Sequence, residues 1–429
     1  MSPLLTDLYE LTMAAGYFEA GKTRETATFE FAIRRLPENR DFILIAGLPQ
    51  AVEYLENLAF QPGEIDYLRG LPQFARVSSA FFDFLRDFRF TGDLFAAPEG
   101  TPLFGGEPVL YVRAPIVEAQ IVETYLLAMV TFQSLVATKA AHVVKAAAGR
   151  DVVEFGTRRA HTAETGALGA RAAYIGGCAG TSNALAGYRF GIPVMGTAAH
   201  SWVMAFAGES EAFRQLQKTL GSEVVQLVDT YDTLEGVRRV AALGEPLRGI
   251  RLDSGDLLQL SRQARAILDA AGLTGTRIMA SGDLDEHRIA ELVAAGAPID
   301  SFGVGTQLAT SADAPALASV YKLVELDVGG IKRYAAKLSA DKATLPGAKQ
   351  LFRLADHDLL ARSGECGSGE PLIRPLMIGG RLAAPLPDLQ AARKRAAGSL
   401  AALDLAGPRR IERSPELEAL IGRTRISLA

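Results

Sequence analysis

Residues Gly249–Thr306 read GIRLDSGDLLQLSRQARAILDAAGLTGTRIMASGDLDEHRIAELVAAGAPIDSFGVGT, and their rhythm decides the fold. Three short apolar or β-branched runs, Gly249–Leu252, Arg277–Ala280 and Ser301–Val304, alternate with two amphipathic stretches at helical spacing, Ser261–Ala271 and Glu286–Ala295. Each stretch is followed by a glycine, Gly272 and Gly296, the residue that ends a helix without steric penalty. Strands separated by helices of this length are βα units, and βα units pair in parallel. Upstream, Val152–Phe155, Ala173–Ile175, Pro193–Met195 and Val224–Val228 read as further strands of the same series. Because parallel crossovers are right-handed, the series predicts a closed or partly closed, irregular α/β barrel, with a doubly wound open sheet as the alternative.

Working outward, the N-terminal segment has apolar residues at helical spacing from Leu4 to Gly16, with Thr6 or Asp7 as N-cap. Thr28–Ile33 alternates as a half-buried strand does, and Arg34 and Arg35 follow it, either to hold an anion or to form a solvated edge. Residues 41–115 mix short helical and strand patterns punctuated by Pro98-Glu-Gly100, Gly105-Gly106 and Pro108, as a small α/β domain would. Beyond Tyr321 the barrel rhythm fades, and an amphipathic stretch runs from Asp388 to Leu405. The expected organisation is a smaller α/β domain over 1–116, the barrel over 117–325, and a C-terminal region over 326–429 that packs back on the N-terminal domain. The chain has no internal repeat.

A length of 429 residues exceeds what a single core usually fills, which fits two domains. The formal charge of −4, with both signs interspersed, gives no basic footprint for nucleic acid or a membrane surface, so an anionic substrate must be met by local arginines. Cys178 and Cys366 stand far apart, in no disulfide framework and no metal-ligand spacing, and suit a reducing cytoplasm. The first ten residues lack the basic and apolar regions of an export signal. The apolar stretch Ile121–Ala148 is interrupted by Glu123, Gln133, Lys139, His142 and Lys145, which predicts a buried helix rather than a membrane span.

In a parallel α/β protein, ligands meet the carboxyl ends of the strands. Polar clusters follow the apolar runs here repeatedly: Glu154-Phe-Gly-Thr-Arg-Arg159, Gly196-Thr-Ala-Ala-His-Ser201, Asp229-Thr-Tyr-Asp232, Arg251-Leu-Asp-Ser-Gly-Asp256, Ser281-Gly-Asp283 and Gly303-Val-Gly-Thr306. Gly303, Gly305 and Thr306 either cradle a phosphate on backbone N–H groups or form a tight strand-to-helix turn. Asp253 and Asp256 either meet ribose hydroxyls or a hydrated magnesium ion, or cap the helix from Leu257. Arg158 and Arg159 offer forked donors to carboxylate or phosphate, or surface ion pairs. Phe155 and Tyr9 are candidates to stack on a flat ring, or core aromatics. The imidazole of His200 is available for nucleophilic or acid–base work, or as a cap. From the residues alone this is an α/β-barrel enzyme for a phosphorylated or polyanionic substrate.

The assembled motifs resemble those of the nicotinate phosphoribosyltransferase family over nearly the whole chain. They are Leu4-Leu-Thr-Asp-Leu-Tyr9, Glu154–Arg159, Gly196–Ser201, Arg251-Leu-Asp-Ser-Gly-Asp-Leu257, Phe302–Thr306 and Val320-Tyr-Lys-Leu323. The resemblance implies transfer of the phosphoribosyl group of 5-phosphoribosyl 1-diphosphate to nicotinate, coupled to ATP hydrolysis, with magnesium, by a cytoplasmic homodimer. It implies phosphorylation of His200, stacking of the pyridine between Tyr9 and Phe155 with Tyr9 near the dimer interface, and contact of Arg158, Thr197 and Arg251 with the carboxylate or nearby phosphate. Asp253 is expected on the ribose, and Ser254, Gly255, Gly282, Asp283, Gly303, Gly305 and Thr306 around phosphate. Ser182, where nicotinamide-using relatives have an aspartate, is expected to favour nicotinate. No metal ligands are assigned, and neither zinc nor flavin is expected. Lys322, Lys337, Lys342 and Lys349 are all candidates for the diphosphate, with solvated surface the leading alternative for each one. The Val225–Thr233 stretch resembles the acidic loop of open-sheet phosphoribosyltransferases but lacks its adjacent acidic pair. Nicotinamide or quinolinate transfer, or a non-catalytic phosphosugar-binding barrel, are the alternatives.

Overall fold

In the computed structural model, which describes residues 2–339, 342–403 and 409–428, the βα rhythm folds into one curled, six-stranded parallel sheet. Its spatial order is Gly180–Thr181, Asp151–Glu154, Ser301–Val304, Arg277–Ala280, Gly249–Leu252, Val225–Leu227. The first and last strands in sequence are thus neighbours, with Ser301 opposite Asp151 and Val304 opposite Glu154. That is the cyclic order of a barrel, broken between Thr181 and Val225, and it excludes the doubly wound alternative.

At the break the chain departs from expectation twice. Ala173–Ile175 is not a strand but the last turn of helix Ala163–Ile175. The run of alanines favours helix, Thr162 caps it by accepting from the Thr165 N–H at 3.2 Å, and the buried positions follow one wide face. The strand comes later, at Gly180–Thr181. Pro193–Met195 forms no strand either, only a single bridge from Val194 to Thr181, because Pro193 has no N–H for a ladder.

The chain divides into two compact units, Val136–Pro315 and Met1–Leu135 with Ala316–Ala429. The division falls inside helix Glu123–Ala146 and before strand Ala318–Val328. The second unit carries a seven-stranded antiparallel sheet in the order Ile331–Tyr334, Ala318–Val328, Thr26–Arg35, Pro108–Pro115, Asp93–Ala96, Arg374–Ile378, Arg381–Leu382. C-terminal strands therefore extend the N-terminal sheet on both sides. Strand Thr26–Arg35 does not show the expected half-burial. Phe29, Phe31 and Ile33 enter the core, and on the other face Glu30 is buried as well, with the buried Lys349 ammonium at 3.1 Å.

The N-terminal helix runs Leu8–Glu19, with Asp7 at the cap position. Helices Leu257–Ala270 and Glu286–Ala294 stop before Gly272 and Gly296, both at positive φ, as the sequence requires. Helix Glu123–Ala146 is long and apolar enough to cross a membrane by composition, yet 61% of its most apolar window is buried inside the protein, the pattern of a core helix. In the C-terminal region a helix spans Leu389–Ala402; residues 404 and 405, the end of the expected amphipathic stretch, lie outside the described residues.

Candidate active site

Arg251 is the centre of the site. It leaves strand Gly249–Leu252 with its side chain only 14% exposed, and its guanidinium donates to three partners. Nε bonds Ser281 Oγ at 2.7 Å, one terminal nitrogen bonds Thr197 Oγ1 at 2.8 Å, and the other bonds Asp253 Oδ1 at 2.5 Å. The same guanidinium lies over the Phe155 ring, 5.5 Å from its centroid. A fork held on three sides is fixed before any ligand arrives, and part of its charge still faces the aromatic surface. Phe155 in turn sits against Gly303: a Cβ there would come within 2.6 Å of the ring carbons. Gly303 is small because the ring needs the space, which the sequence alone had left open.

Asp253 accepts from Ser281 Oγ at 2.5 Å as well as from Arg251. Burial works against its charge, but the Ser281 hydroxyl, the Arg251 guanidinium and the His200 ring outweigh that and hold the carboxyl below its ordinary pKa. His200 opens the short helix His200–Met204; its Nδ1 lies 3.2 Å from Thr230 Oγ1 and its Nε2 3.8 Å from Asp253 Oδ2. Asp229 Oδ2 accepts from the Asp253 N–H at 2.9 Å and from Ser254 Oγ at 2.7 Å, while its Oδ1 is buried without a hydrogen-bond partner among the described residues. The Val225–Thr233 stretch, which lacks the acidic pair of the open-sheet loop, thus supplies Asp229 and Thr230 to this site. Their signal in the sequence was position, directly after a strand. Asp256 resolves the other way: its carboxylate caps helix Leu257–Ala270, accepting from the N–H groups of Leu258 and Gln259.

Two further turns join this cluster through a residue whose role the sequence did not reveal. The Glu154 carboxylate is buried, accepts from Thr181 Oγ1 at 2.6 Å and also from the Gly156 N–H, and burial pushes its pKa up against those bonds. Thr181 Oγ1 receives the Asn183 N–H at 2.9 Å, and the Asn183 amide donates to Thr157 Oγ1 at 3.1 Å. Glu154 thereby ties the Phe155–Arg159 turn to the Thr181–Asn183 turn. Arg158 and Ser182 project from these turns into solvent.

The turns after strands Arg277–Ala280 and Ser301–Val304 lie side by side, because Ala280 pairs with Phe302. Among the described residues the N–H groups of Gly282, Asp283, Gly305 and Thr306 make no hydrogen bond within the chain. Four unspent donors in two adjacent turns suit a phosphate group. Gly282 is at φ +92°, and a Cβ there would collide with the Asp253 carbonyl oxygen; Asp283 and Gly255 are also at positive φ, +47° and +82°. Gly282→Ala is therefore expected to destabilise the fold by about 2–3 kcal/mol, read as a lowered urea midpoint, and to displace Asp253.

Tyr9 belongs to the other unit. It is 47% exposed, and its hydroxyl is bonded to Glu123; burial, then the charges of Glu123, Glu10 and Asp7, push the phenol pKa up. The neighbouring Glu10 is buried and accepts from Thr124 Oγ1 at 2.5 Å, from the Thr124 N–H at 3.1 Å and from Thr6 Oγ1. Burial raises its pKa from the ordinary carboxyl value to about 7. A carboxyl raised in the fold stabilises it below its unfolded pKa, and that contribution is lost as pH climbs through the folded value. The thermal midpoint is expected to fall between about pH 4.5 and pH 7, and Glu10→Gln to flatten that slope. An unchanged slope in the variant would assign the decline to another group.

Comparison with known proteins places these features in a family. Residues 4–131 match the model for the nicotinate phosphoribosyltransferase N-terminal domain, and residues 136–315 match that for the quinolinate phosphoribosyl transferase C-terminal domain. Over 88% of the chain it is 49% identical to a nicotinate phosphoribosyltransferase of Mycobacterium tuberculosis, 82% of which is covered. The human nicotinate phosphoribosyltransferase is 32% identical, with 96% of this chain and 93% of that one covered. The crystal structure of human nicotinic acid phosphoribosyltransferase superposes with a TM-score of 0.86 at 30% identity, covering 97% of this chain and 99% of that one. The nicotinate-nucleotide pyrophosphorylase of Pyrococcus furiosus follows at 0.76 and 25%, covering 94% and 96%. With an N-terminal domain, a broken barrel and relatives that agree along nearly its whole length, the chain belongs to the nicotinate phosphoribosyltransferase family.

Proposed function

We propose that the chain transfers the phosphoribosyl group of 5-phosphoribosyl 1-diphosphate to nicotinate, giving nicotinate mononucleotide and diphosphate, with ATP hydrolysis coupled through His200. The observation that carries the substrate is the Arg251 fork over Phe155: a flat face beside a fixed cation fits an aromatic ring that bears one carboxylate. Thr197 shares that fork, and Arg158 is the exposed cation at the neighbouring strand end. Tyr9 is proposed to reach the ring from a second copy of the chain, as a cytoplasmic homodimer would allow. Ser182, neutral where an aspartate would repel the carboxylate, favours nicotinate over nicotinamide.

In this reading the unspent N–H groups of Gly282, Asp283, Gly305 and Thr306 hold the 5′-phosphate, Gly255 and Ser254 shape the adjoining turn, and Asp253 meets the ribose. The pyridine nitrogen bonds to ribose C1 as the C1–O bond to diphosphate breaks, and the electron pair leaves with diphosphate. The partnerless Oδ1 of Asp229 and the depressed pKa of Asp253 fit a magnesium ion held by one or two carboxylates together with substrate phosphates. Bound there, magnesium would neutralise the departing diphosphate. Asp253 itself stabilises positive charge developing at C1. For the ATP half-reaction, an imidazole nitrogen of His200 bonds the γ-phosphorus and ADP departs; Thr230 orients the ring, and water later cleaves the phosphohistidine. The match of residues 136–315 to the quinolinate model favours a second reading, quinolinate transfer with loss of carbon dioxide. A second carboxylate would need a second buried cation beside Arg251, whereas Arg158 and Arg159 are both exposed.

A product assay decides among these. The purified chain, given each of nicotinate, nicotinamide and quinolinate with and without ATP, is expected to make mononucleotide from nicotinate and to do so faster with ATP. Product from nicotinamide or quinolinate alone would overturn the substrate, and rates indifferent to ATP would overturn the coupling.

A further inference from the structure

Lys139 is the most deeply buried lysine whose place the chemistry above leaves unexplained. It lies on helix Glu123–Ala146, its side chain is 2% exposed, and its ammonium makes two ion pairs, to Glu286 Oε2 at 2.5 Å and to Asp313 Oδ1 at 2.9 Å. Those carboxylates come from two different connections. Glu286 is the first residue of helix Glu286–Ala294, directly after the Ser281–Asp285 turn. Asp313 follows the short helix Thr306–Ala309, in a segment where Ser311 is at φ +43° and its hydroxyl bonds the Ala314 carbonyl at 2.9 Å.

We propose that Lys139 is a positioning residue: by pinning Glu286 and Asp313 to one buried ammonium, it sets the spacing between the two turns that hold the 5′-phosphate. The role rests on the phosphate assignment made above. The two turns start in register, since Ala280 pairs with Phe302, but after the strands end no backbone ladder links them. Asp283 and Ser311, neither of them glycine, are at positive φ, a conformation that persists only when surrounding contacts enforce it. A buried ammonium between two carboxylates is such a contact. Without it the like-charged carboxylates of Glu286 and Asp313, 13% and 27% exposed, lose the cation that holds them together, and the turns carrying the N–H donors move apart. A group bound by donors from both turns feels that spacing directly, whereas one bound on the Phe155 and Arg251 side feels it only through the bond from Arg251 to Ser281, which sits at the strand end where register still holds.

The test uses the full chain and three variants: Lys139→Met, Lys139→Arg, and Lys139→Met combined with Glu286→Gln and Asp313→Asn. Steady-state kinetics are run with 5-phosphoribosyl 1-diphosphate and nicotinate varied in turn. Amide hydrogen exchange over residues 281–286 and 305–313 is measured with and without inorganic phosphate. A displacement of about 1 Å loses on the order of 10²-fold in a positioned site. Lys139→Met is therefore expected to raise KM for the phosphoribosyl donor by roughly 10- to 100-fold with little change in KM for nicotinate, and to speed exchange in both turns. Lys139→Arg keeps the charge and is expected to stay close to wild type, and the triple variant to recover much of the loss. An unchanged donor KM, or equal rises for both substrates, would overturn the role. A triple variant as impaired as Lys139→Met would overturn it too. If phosphate fails to slow exchange in either turn of the wild-type chain, the phosphate assignment itself falls, and the role of Lys139 with it.

Discussion

Arg251→Ala is expected to lower kcat/KM for nicotinate by roughly two orders of magnitude. The guanidinium donates to Thr197, Ser281 and Asp253 and lies over Phe155, so the substitution removes a charge and unties three strand-end clusters together. Truncating one partner of a buried, hydrogen-bonded charge pair, here the guanidinium proposed to face the nicotinate carboxylate, costs about 2–5 kcal/mol of binding. Asp253 keeps its bond from Ser281 and stands partly in solvent, which places the loss in the lower part of that range, and about 3 kcal/mol is roughly a hundredfold in rate. Both parameters should suffer, KM through the lost carboxylate contact and kcat through the displaced Asp253. Arg251→Lys keeps the charge but not the fork, and is expected to recover only part of the activity. Steady-state kinetics with nicotinate decide: a loss below tenfold would show that the fork is scaffold rather than site.

His200→Ala is expected to abolish phosphorylation of the chain by ATP and with it the whole of the ATP stimulation, leaving a slower, ATP-indifferent synthesis of mononucleotide. His200 has Thr230 at Nδ1 and Asp253 beyond Nε2, so the ring is oriented by one neighbour and linked electrostatically to a residue assigned to the sugar. That link gives the coupling a route: a phosphoryl group on the ring adds negative charge beside Asp253 and changes how that carboxylate meets the ribose. Incubation with γ-labelled ATP, followed by acid and base treatment, reads the result directly. Acid-labile, base-stable label in the wild type and none in the variant is the expected outcome; equal labelling of both would place the phosphoryl group elsewhere.

Much of the candidate site was legible because its parts are local. Gly272 and Gly296 announced the helix ends, and the polar clusters after the runs at 152–155, 249–252, 277–280 and 301–304 lie where a parallel sheet presents its ligands. The misreadings were equally physical. Ala173-Tyr-Ile175 is apolar in either state, and what makes it a helix is its continuity with the capped, alanine-rich turns before it. Asp229, by contrast, was expected at a strand end, and it receives Ser254 and the Asp253 N–H because two strands stand side by side.

By itself, the sequence determined the βα series, the helix boundaries and which residues stand at strand ends, since these depend on periodicity and on neighbours a few positions away. Only the tertiary structure decided that the first and last strands pair, so that the barrel is broken beside His200. Tertiary structure alone also brought Arg251 to Thr197 and Ser281, made Glu154 a buried tie between two turns, and gave Lys139 its two carboxylates. Those contacts join residues from about thirty to well over a hundred positions apart, and they depend on register and burial, which local pattern does not encode.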